Sequence, residues 1–309
     1  MKNAASVREH GVSEQTSNED DERRVSVKAL LVAALAGMIQ GVVEWLPVSS
    51  KSMIGLTFSS GGGYPSSTAY VMGLLANFGS FFAALYFFRK DIADALGGLR
   101  RPLANTPGAA KLRYLVIATI GTAVVGLPIY AVVVKAFHRQ AGSVFMMVIG
   151  ALLLVTTAVN YQRERLAHRK GRQGTDEAPS GRTAAVVGCA QGLAALPGVS
   201  RSAVTVTPLV YLGETPAAAL RFSFLLDVVG LLGAGLAPFL VGHAGFSALH
   251  RVGAIPVIVM LAVAVVMSFL AIGFILRLAA RLRAWIVTLL IGAITFGGGV
   301  LYMSGALGH

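Results

Sequence analysis

The chain is 309 residues long, 55% hydrophobic and only 13% charged, with a mean hydropathy of +0.70 and a formal net charge of +12. These values exclude an ordinary soluble domain and place the chain among membrane proteins. The basic excess falls mostly between apolar segments, where cytoplasmic loops carry it, so it gives no reason to expect a nucleic-acid partner.

Residues 1–26 are polar and include the acidic run Glu19, Asp20, Asp21, Glu22 followed by Arg23 and Arg24, the composition of a solvated, disordered tail. The first apolar stretch begins near Val27. It carries Glu44 and Pro47 rather than a small-residue cleavage site, so it is expected to remain in the mature protein. Apolar segments then lie near 27–58, 68–88, 112–135, 141–162, 183–213, 216–241, 252–277 and 284–305. Six of them have the ~20 residues that cross a bilayer core. The first and fifth are longer, and each is interrupted at its middle by a proline, Pro47 or Pro197, followed by small hydroxyl residues and one base. A straight helix of about 30 residues would run roughly 45 Å, well beyond the ~30 Å hydrocarbon thickness. A hairpin would instead turn near mid-membrane and return the chain to its starting side.

The expected fold is an all-α integral membrane protein of the cell (inner) membrane, with six transmembrane helices plus two re-entrant helical hairpins. It forms a single membrane domain over 27–305, with tails at 1–26 and 306–309. Arg89, Lys90, Arg100, Arg101, Lys111 and Arg113 fill one loop, and Arg163, Arg165, Arg169, Lys170, Arg172 and Arg182 another. Both loops are expected to be cytoplasmic, which puts both termini outside; eight full spans with cytoplasmic termini satisfy the same two loops. The single cysteine, Cys189, excludes a disulfide framework and a multi-thiolate metal site, and reads as a small packing residue. The histidines, His10, His138, His168, His243, His250 and His309, lie in tails or loops and do not read as site residues.

An offset of 150 aligns Leu46, Pro47, Ser50, Lys51 and Ser52 with Leu196, Pro197, Ser200, Arg201 and Ser202, giving the shared pattern LPxxS[KR]S. Gln40 and Gly41 match Gln191 and Gly192 after a one-residue gap, and the same offset sets Asn77 against Asp227. The repeats run about 27–162 and 183–305. One hairpin plus three spans crosses the membrane an odd number of times, so the second copy is inverted relative to the first and the two tips can meet at the midplane. Such an inverted-topology repeat points to a central binding site made of broken helices.

Gln40 and Glu44 are four residues apart and so share one helix face. A carboxylate in an apolar segment is costly, and three readings of Glu44 follow: an internal ion pair with Lys51 or Arg201, a general base, or a ligand for a divalent cation (Mg²⁺ or Ca²⁺) that bridges to phosphate oxygens. In the second tip, Pro197 and Gly198 break a helix and Ser200 is placed to cap the next one, leaving backbone N–H groups beside Arg201 as an anion cradle. Arg201 offers a planar fork matched to phosphate, Ser200, Ser202 and Thr205 add hydroxyl donors, and Lys51 brings a second positive charge from the first tip. Ser49 or Ser50 is either a nucleophile activated by Glu44 or a hydrogen-bond donor while Glu44 activates water. Asn77 and Asp227 either line the cavity or satisfy an interhelical hydrogen bond.

At these motifs the chain resembles the undecaprenyl-diphosphate phosphatases, a membrane family also linked to bacitracin resistance. Gln40 to Ser50, QGVVEWLPVSS, resembles the family's [EQ]GxxEFLPxSS element, and Pro197 to Thr205, PGVSRSAVT, is similar to its PGxSRSxxT element. Weaker likeness runs through Phe78, Gly79 and Ser80, through Phe222 to Leu226, and through the order of the segments. The resemblance implies six spans, two re-entrant hairpins and an inverted repeat. It also implies hydrolysis of a C55 isoprenoid diphosphate at the outer membrane face, which recycles the carrier of cell-wall polymers, and it leaves room for a homodimer. By the same resemblance Glu44 is the essential acid, Ser50 the nucleophile or phosphate ligand, and Arg201 the phosphate-binding arginine, with Gln40 where many members carry a second glutamate. One departure stands out. Where the family usually continues after the double serine with a small residue, glycine and histidine, this chain has Lys51, Ser52 and Met53, and methionine transfers no proton. The alternative function is a non-enzymatic carrier that moves polyprenyl phosphate between leaflets through the same inverted repeat.

Overall fold

The structure, a computed structural model, describes residues 27–46, 48–137, 142–167, 177–241, 243–279 and 284–304. Pro47, both tails, Arg169, Lys170, Arg172 and the histidines His10, His138, His168 and His309 lie outside the described residues. All regular structure among the described residues is helical. In chain order the helices are α1 (Val27–Val43), α2 (Ser50–Leu56), α3 (Ser66–Leu75), α4 (Asn77–Phe87), α5 (Arg89–Gly97), α6 (Pro107–Phe137) and α7 (Gly142–Ala167). There follow α8 (Gly181–Gly192), α9 (Arg201–Tyr211), α10 (Pro216–Leu240), α11 (Ala244–Val252), α12 (Ala254–Ala279) and α13 (Ala284–Met303).

Among the described residues, four stretches are long and apolar enough to cross a membrane: Ser66–Phe87, which joins α3 and α4, Pro107–Ala136, Ala217–Leu240 and Ala254–Gly273. Shorter apolar helices cover Val27–Val43, Met146–Gln162 and Gly292–Leu301. The chain is thus a multi-pass, all-helical membrane protein. The first and fifth apolar segments are broken where the prolines stand. α8 and α9 have 12 and 11 residues, roughly 18 and 16 Å of helix, each far short of a crossing. They pack against each other on either side of the break.

Two helices occupy stretches that the sequence reading leaves as loops, α5 and α11. The first is clamped by charge: Lys111 Nζ lies 2.7 Å from Asp91 Oδ1 and 2.8 Å from Asp94 Oδ2, and Arg221 Nη2 lies 2.8 Å from Asp91 Oδ1. This network fastens α5 to the starts of α6 and α10. Partial burial pushes the Asp91 carboxyl up, but the Lys111 and Arg221 donors outweigh it and hold the group below the usual aspartate range. A lowered folded-state value stabilises the fold above the ordinary aspartate range, and that contribution fades as pH falls through the folded-state value. Asp91→Asn is therefore expected to cost about 1 kcal/mol at neutral pH after solvent screening, shrinking below about pH 4. Thermal unfolding of both proteins in detergent at neutral and acid pH checks this.

α10 is the central element and packs against α3, α4, α6, α9 and α11. Around it lie Trp45, Tyr114, Phe222, Phe224 and Leu225, all buried, with Trp45 edge-on to Phe224 at 6.0 Å between ring centroids. α8 lies close against α6 because Gly188 faces the backbone of Ala118, where any side chain would collide. Small residues let membrane helices approach in this way. With the Gly188 face turned to α6, the neighbouring Cys189 points outward and is exposed, which corrects the expectation of a packed cysteine.

Candidate active site

The first break starts one turn after Gln40. Gln40 Nε2 donates to Glu44 Oε2 at 2.9 Å and to Ser80 Oγ at 3.1 Å, so the shared face of α1 ties the carboxylate back to α4. The chain restarts as α2 at Ser50, whose Oγ donates to the same Glu44 Oε2 at 2.5 Å. Ser49 Oγ pairs instead with Ser52 Oγ at 2.8 Å.

The second break passes through a short 3₁₀ turn at Leu193–Ala195 and then Pro197 and Gly198. Gly198 has φ +90, a left-handed conformation suited to glycine, and a Cβ there would press on Leu152 of α7. α9 restarts at Arg201 with Ser200 in the cap position. Its hydroxyl makes no cap hydrogen bond and lies 3.3 Å from Ser202 Oγ, so Ser200 holds the expected position without the expected contact.

The two tips meet. Gly198 N donates to Ser52 Oγ at 2.5 Å, and Ser202 Oγ donates to Leu46 O at 3.4 Å. Lys51 Nζ donates to Ala194 O and, at 3.5 Å, to Val199 O. Lys51 lines the cavity, yet it directs its charge at two backbone carbonyls of the second break, Ala194 in the 3₁₀ turn and Val199 just before α9. Glu44 Oε1 accepts from Arg201 Nη2, while Arg201 Nε lies 2.8 Å from Asp227 Oδ1 as an ion pair. The three side chains are 7%, 10% and 2% exposed, in the order Glu44, Arg201, Asp227. Arginine therefore sits between two buried acids.

A cavity of about 210 Å³ lies over the tips, and Glu44, Ser49, Ser50, Lys51, Ser200, Arg201 and Ser202 face it. Gln40 and Thr205 stand behind this lining. Gln40 supports Glu44, whereas Thr205 Oγ1 donates to Arg201 O at 3.0 Å and pairs with Ser223 Oγ at 2.5 Å. Thr205 was expected to donate to phosphate; one turn into α9, its hydroxyl is satisfied by its own helix and by α10. Asn77 lines the cavity, but its amide donates to Gly73 O and Leu74 O, four and three residues back in the same span, rather than to another helix. Asp227 is not at the lining; its partner is Arg201.

From this charged end an apolar groove runs between α6, through Thr122, Gly126, Leu127 and Tyr130, and α10, through Gly230, Gly233 and Ala237. Sequence reasoning missed the polar groups along it. Tyr70 and Tyr130 stack with centroids 6.3 Å apart; the Tyr70 hydroxyl donates to Ala195 O at 2.5 Å, and the buried Tyr130 hydroxyl has no hydrogen-bond partner among the described residues. Gln191 Nε2 donates to Thr122 Oγ1 at 3.1 Å. Gln191 had a signal, because the repeat sets it against Gln40, but nothing local distinguishes the two tyrosines from other aromatics in apolar spans.

A buried carboxylate bonded to a hydroxyl and a guanidinium at the wall of a pocket can receive a proton from the hydroxyl, and the guanidinium can bind an oxyanion. The apolar groove adjoining it suits a substrate with a long hydrocarbon part. Residues 33–295 match the family model described as bacitracin resistance protein BacA. The chain is 35% identical over 276 residues to an undecaprenyl-diphosphatase of Haloarcula marismortui, an alignment covering 88% of this chain and 98% of the relative. It is 33% identical over 274 residues to that of Saccharolobus solfataricus (88% and 96% covered) and 36% identical over 270 residues to that of Pyrobaculum aerophilum (87% and 97% covered).

Proposed function

The chain belongs to the bacitracin resistance protein BacA family, and on that premise we propose that it is an undecaprenyl-diphosphatase, hydrolysing a polyprenyl diphosphate to the monophosphate and so recycling the lipid carrier. The observation that carries the reading is the Ser50–Glu44–Arg201 constellation at the end of an apolar groove. The carrier alternative finds no support in the relatives, which bear the name of a hydrolase.

In this mechanism the terminal phosphate lies against Arg201 and the free N–H groups at the start of α9, and takes the place of Glu44 on the guanidinium. Released from that pair, Glu44 accepts the Ser50 proton as Ser50 Oγ attacks phosphorus. The P–O bond to the lipid monophosphate breaks, and the monophosphate leaves with the bond's electron pair. Glu44 passes the Ser50 proton to the departing monophosphate, then takes one from the water that attacks the phosphoserine. It returns that proton to Ser50 Oγ as the serine P–O bond breaks and inorganic phosphate leaves. The Ser50–Glu44 hydrogen bond favours Ser50 over Ser49, whose hydroxyl is paired with Ser52. Met53 has no part, because Glu44 itself carries the proton. Ser50→Ala is expected to abolish turnover, and acid quenching with labelled substrate should trap phosphate on the wild-type protein at Ser50. Turnover without a trapped phosphoprotein would assign the attack to water.

No three His, Cys, Asp or Glu side chains gather among the described residues. That donor set does not cage a cation. It fits a magnesium-type ion, which takes one or two carboxylates and fills its remaining positions with phosphate oxygens and water. Glu44 would hold such an ion, which when bound neutralises charge on the diphosphate. Chelation by EDTA is expected to stop phosphate release, and added Mg²⁺ or Ca²⁺ to restore it.

For the topology we assign six spans with two re-entrant hairpins in the inner membrane, a reading the short α8 and α9 support. α6 and α10 both start at the basic cluster of Lys111 and Arg221. The cavity-lining residues Thr119 to Tyr130 lie roughly 12 to 28 Å further along α6. With the basic end cytoplasmic, the site opens toward the outer face.

The groove is expected to hold the first isoprene units. Gly233 is exposed on its α10 wall, with open space where a side chain would go. Gly233→Trp should therefore raise KM for a C55 diphosphate at least tenfold while leaving methyl diphosphate, which has no isoprene unit, nearly unaffected. Equal effects on both would show that the chain leaves by another route.

A further inference from the structure

Arg201 is held from below as well as from the cavity side. Three residues of α10, spaced four and three apart and so on one helix face, meet α9 at this point. Ser223 Oγ pairs with Thr205 Oγ1, which in turn donates to the Arg201 carbonyl. Asp227 Oδ1 lies 2.8 Å from Arg201 Nε. At Gly230 a Cβ would lie 3.2 Å from Arg201 Nη1, tighter than ordinary contact, so the bare glycine lets the guanidinium lie flat against α10. The three form a cradle.

Asp227 is 2% exposed and stands outside the cavity lining, so it does not touch a ligand there. Glu44, the other acid on Arg201, faces the cavity. The two acids therefore have different prospects when an anion arrives. A phosphate can displace Glu44 from Nη2, whereas Asp227 keeps its hold on Nε.

We propose that Asp227 is the positioning residue for Arg201: with Gly230 beneath, it keeps the guanidinium aimed into the cavity and lets Glu44 be released to the reaction when the diphosphate binds. This inference rests on the diphosphatase reading. An isolated Arg201–Glu44 pair would close on itself, holding both groups away from substrate. Asp227 supplies a second negative partner that cannot follow the substrate or compete for it.

The test is steady-state phosphate release from C55 diphosphate by the full-length protein in detergent, for wild type, Asp227→Asn, Arg201→Lys and the double variant. Lysine lacks the Nε and the fork, so it cannot use the cradle. Asp227→Asn is expected to raise KM about tenfold and to lower kcat/KM on the order of 100-fold, the scale of a 1 Å misplacement of a binding group. In the Arg201→Lys background the same change should add less than about threefold, because coupled residues are not additive. An unchanged KM with only a smaller kcat, the signature of fewer folded molecules, overturns the proposal, and so do costs that multiply in the double variant. If Asp227→Asn does not fold, Gly230→Ala reads the same placement through packing alone, and an unchanged KM there overturns it equally. Absence of phosphate release from the wild type would sink the diphosphatase reading instead. Binding of C55 diphosphate would then decide the role of Asp227, with Asp227→Asn expected to weaken it in wild type and not in Arg201→Lys.

Discussion

Arg201→Ala is expected to reduce kcat/KM for phosphate release from a C55 diphosphate by about 10³- to 10⁴-fold, mostly through KM. Two losses combine. Removing a charged donor aimed at a transferring phosphoryl group costs on the order of 10²- to 10³-fold. The substitution also strips the shared partner from Glu44 and Asp227, both buried, and an orphaned member of a buried pair costs roughly 3–5 kcal/mol. Of the two, Glu44 lines the cavity, and its carboxylate, stripped of the guanidinium, would then face an incoming anion. Thermal unfolding measured beside the kinetics should show a destabilised but folded protein. A loss confined to stability, with KM unchanged in the folded fraction, would remove Arg201 from substrate binding.

Glu44→Gln is expected to act in the opposite direction on binding. The glutamine keeps the size of the side chain and can still hydrogen-bond Gln40 and Ser50, but it cannot take the Ser50 proton. On the order of 10²- to 10⁴-fold in kcat should go, the usual contribution of a general base. At the same time the internal competitor for Arg201 is gone, because a neutral amide does not hold the guanidinium as the carboxylate does. The dissociation constant of the lipid measured in EDTA, where Glu44 holds no cation, should therefore fall. A variant whose affinity declines even without the cation would show that Glu44 binds substrate directly rather than competing with it.

How much of this was legible in the sequence depends on whether a feature is local. The apolar lengths, the proline breaks and the LPxxS[KR]S repeat are local, and they placed the breaks that carry Glu44 and Arg201 correctly. The Gln40–Glu44 bond follows from helical spacing alone. The ion pair of Glu44 with Arg201 was among the readings of an intramembrane charge, since such a charge needs a partner. The choice of Arg201 over Lys51 was not legible. It depends on Ala194 and Val199 offering backbone carbonyls to the lysine, and a carbonyl carries no sequence signature. Thr205 looked like a phosphate donor because it follows Arg201 by one helical turn, yet Ser223, 18 residues on, claims its hydroxyl. α5 and α11 escaped notice because each has only 9 residues, too short for a periodic pattern to stand out between long apolar spans.

The contact between the two tips also governs how the protein can be made. Ser52 and the Gly198 amide that binds it are 146 residues apart in the chain. At synthesis rates of about 5–20 residues per second, roughly 7 to 30 s pass between the emergence of one and the other. Throughout that interval Lys51 and Ser52 have been delivered to the bilayer without the carbonyls and amide that will satisfy them. The N-terminal half is then expected to wait in a shallow, hydrated position, or against the insertion machinery, and to settle only when residues beyond Arg201 arrive. A nascent chain stalled near residue 165 should accordingly remain accessible to aqueous reagents at its first tip, and lose that access once synthesis runs to the end.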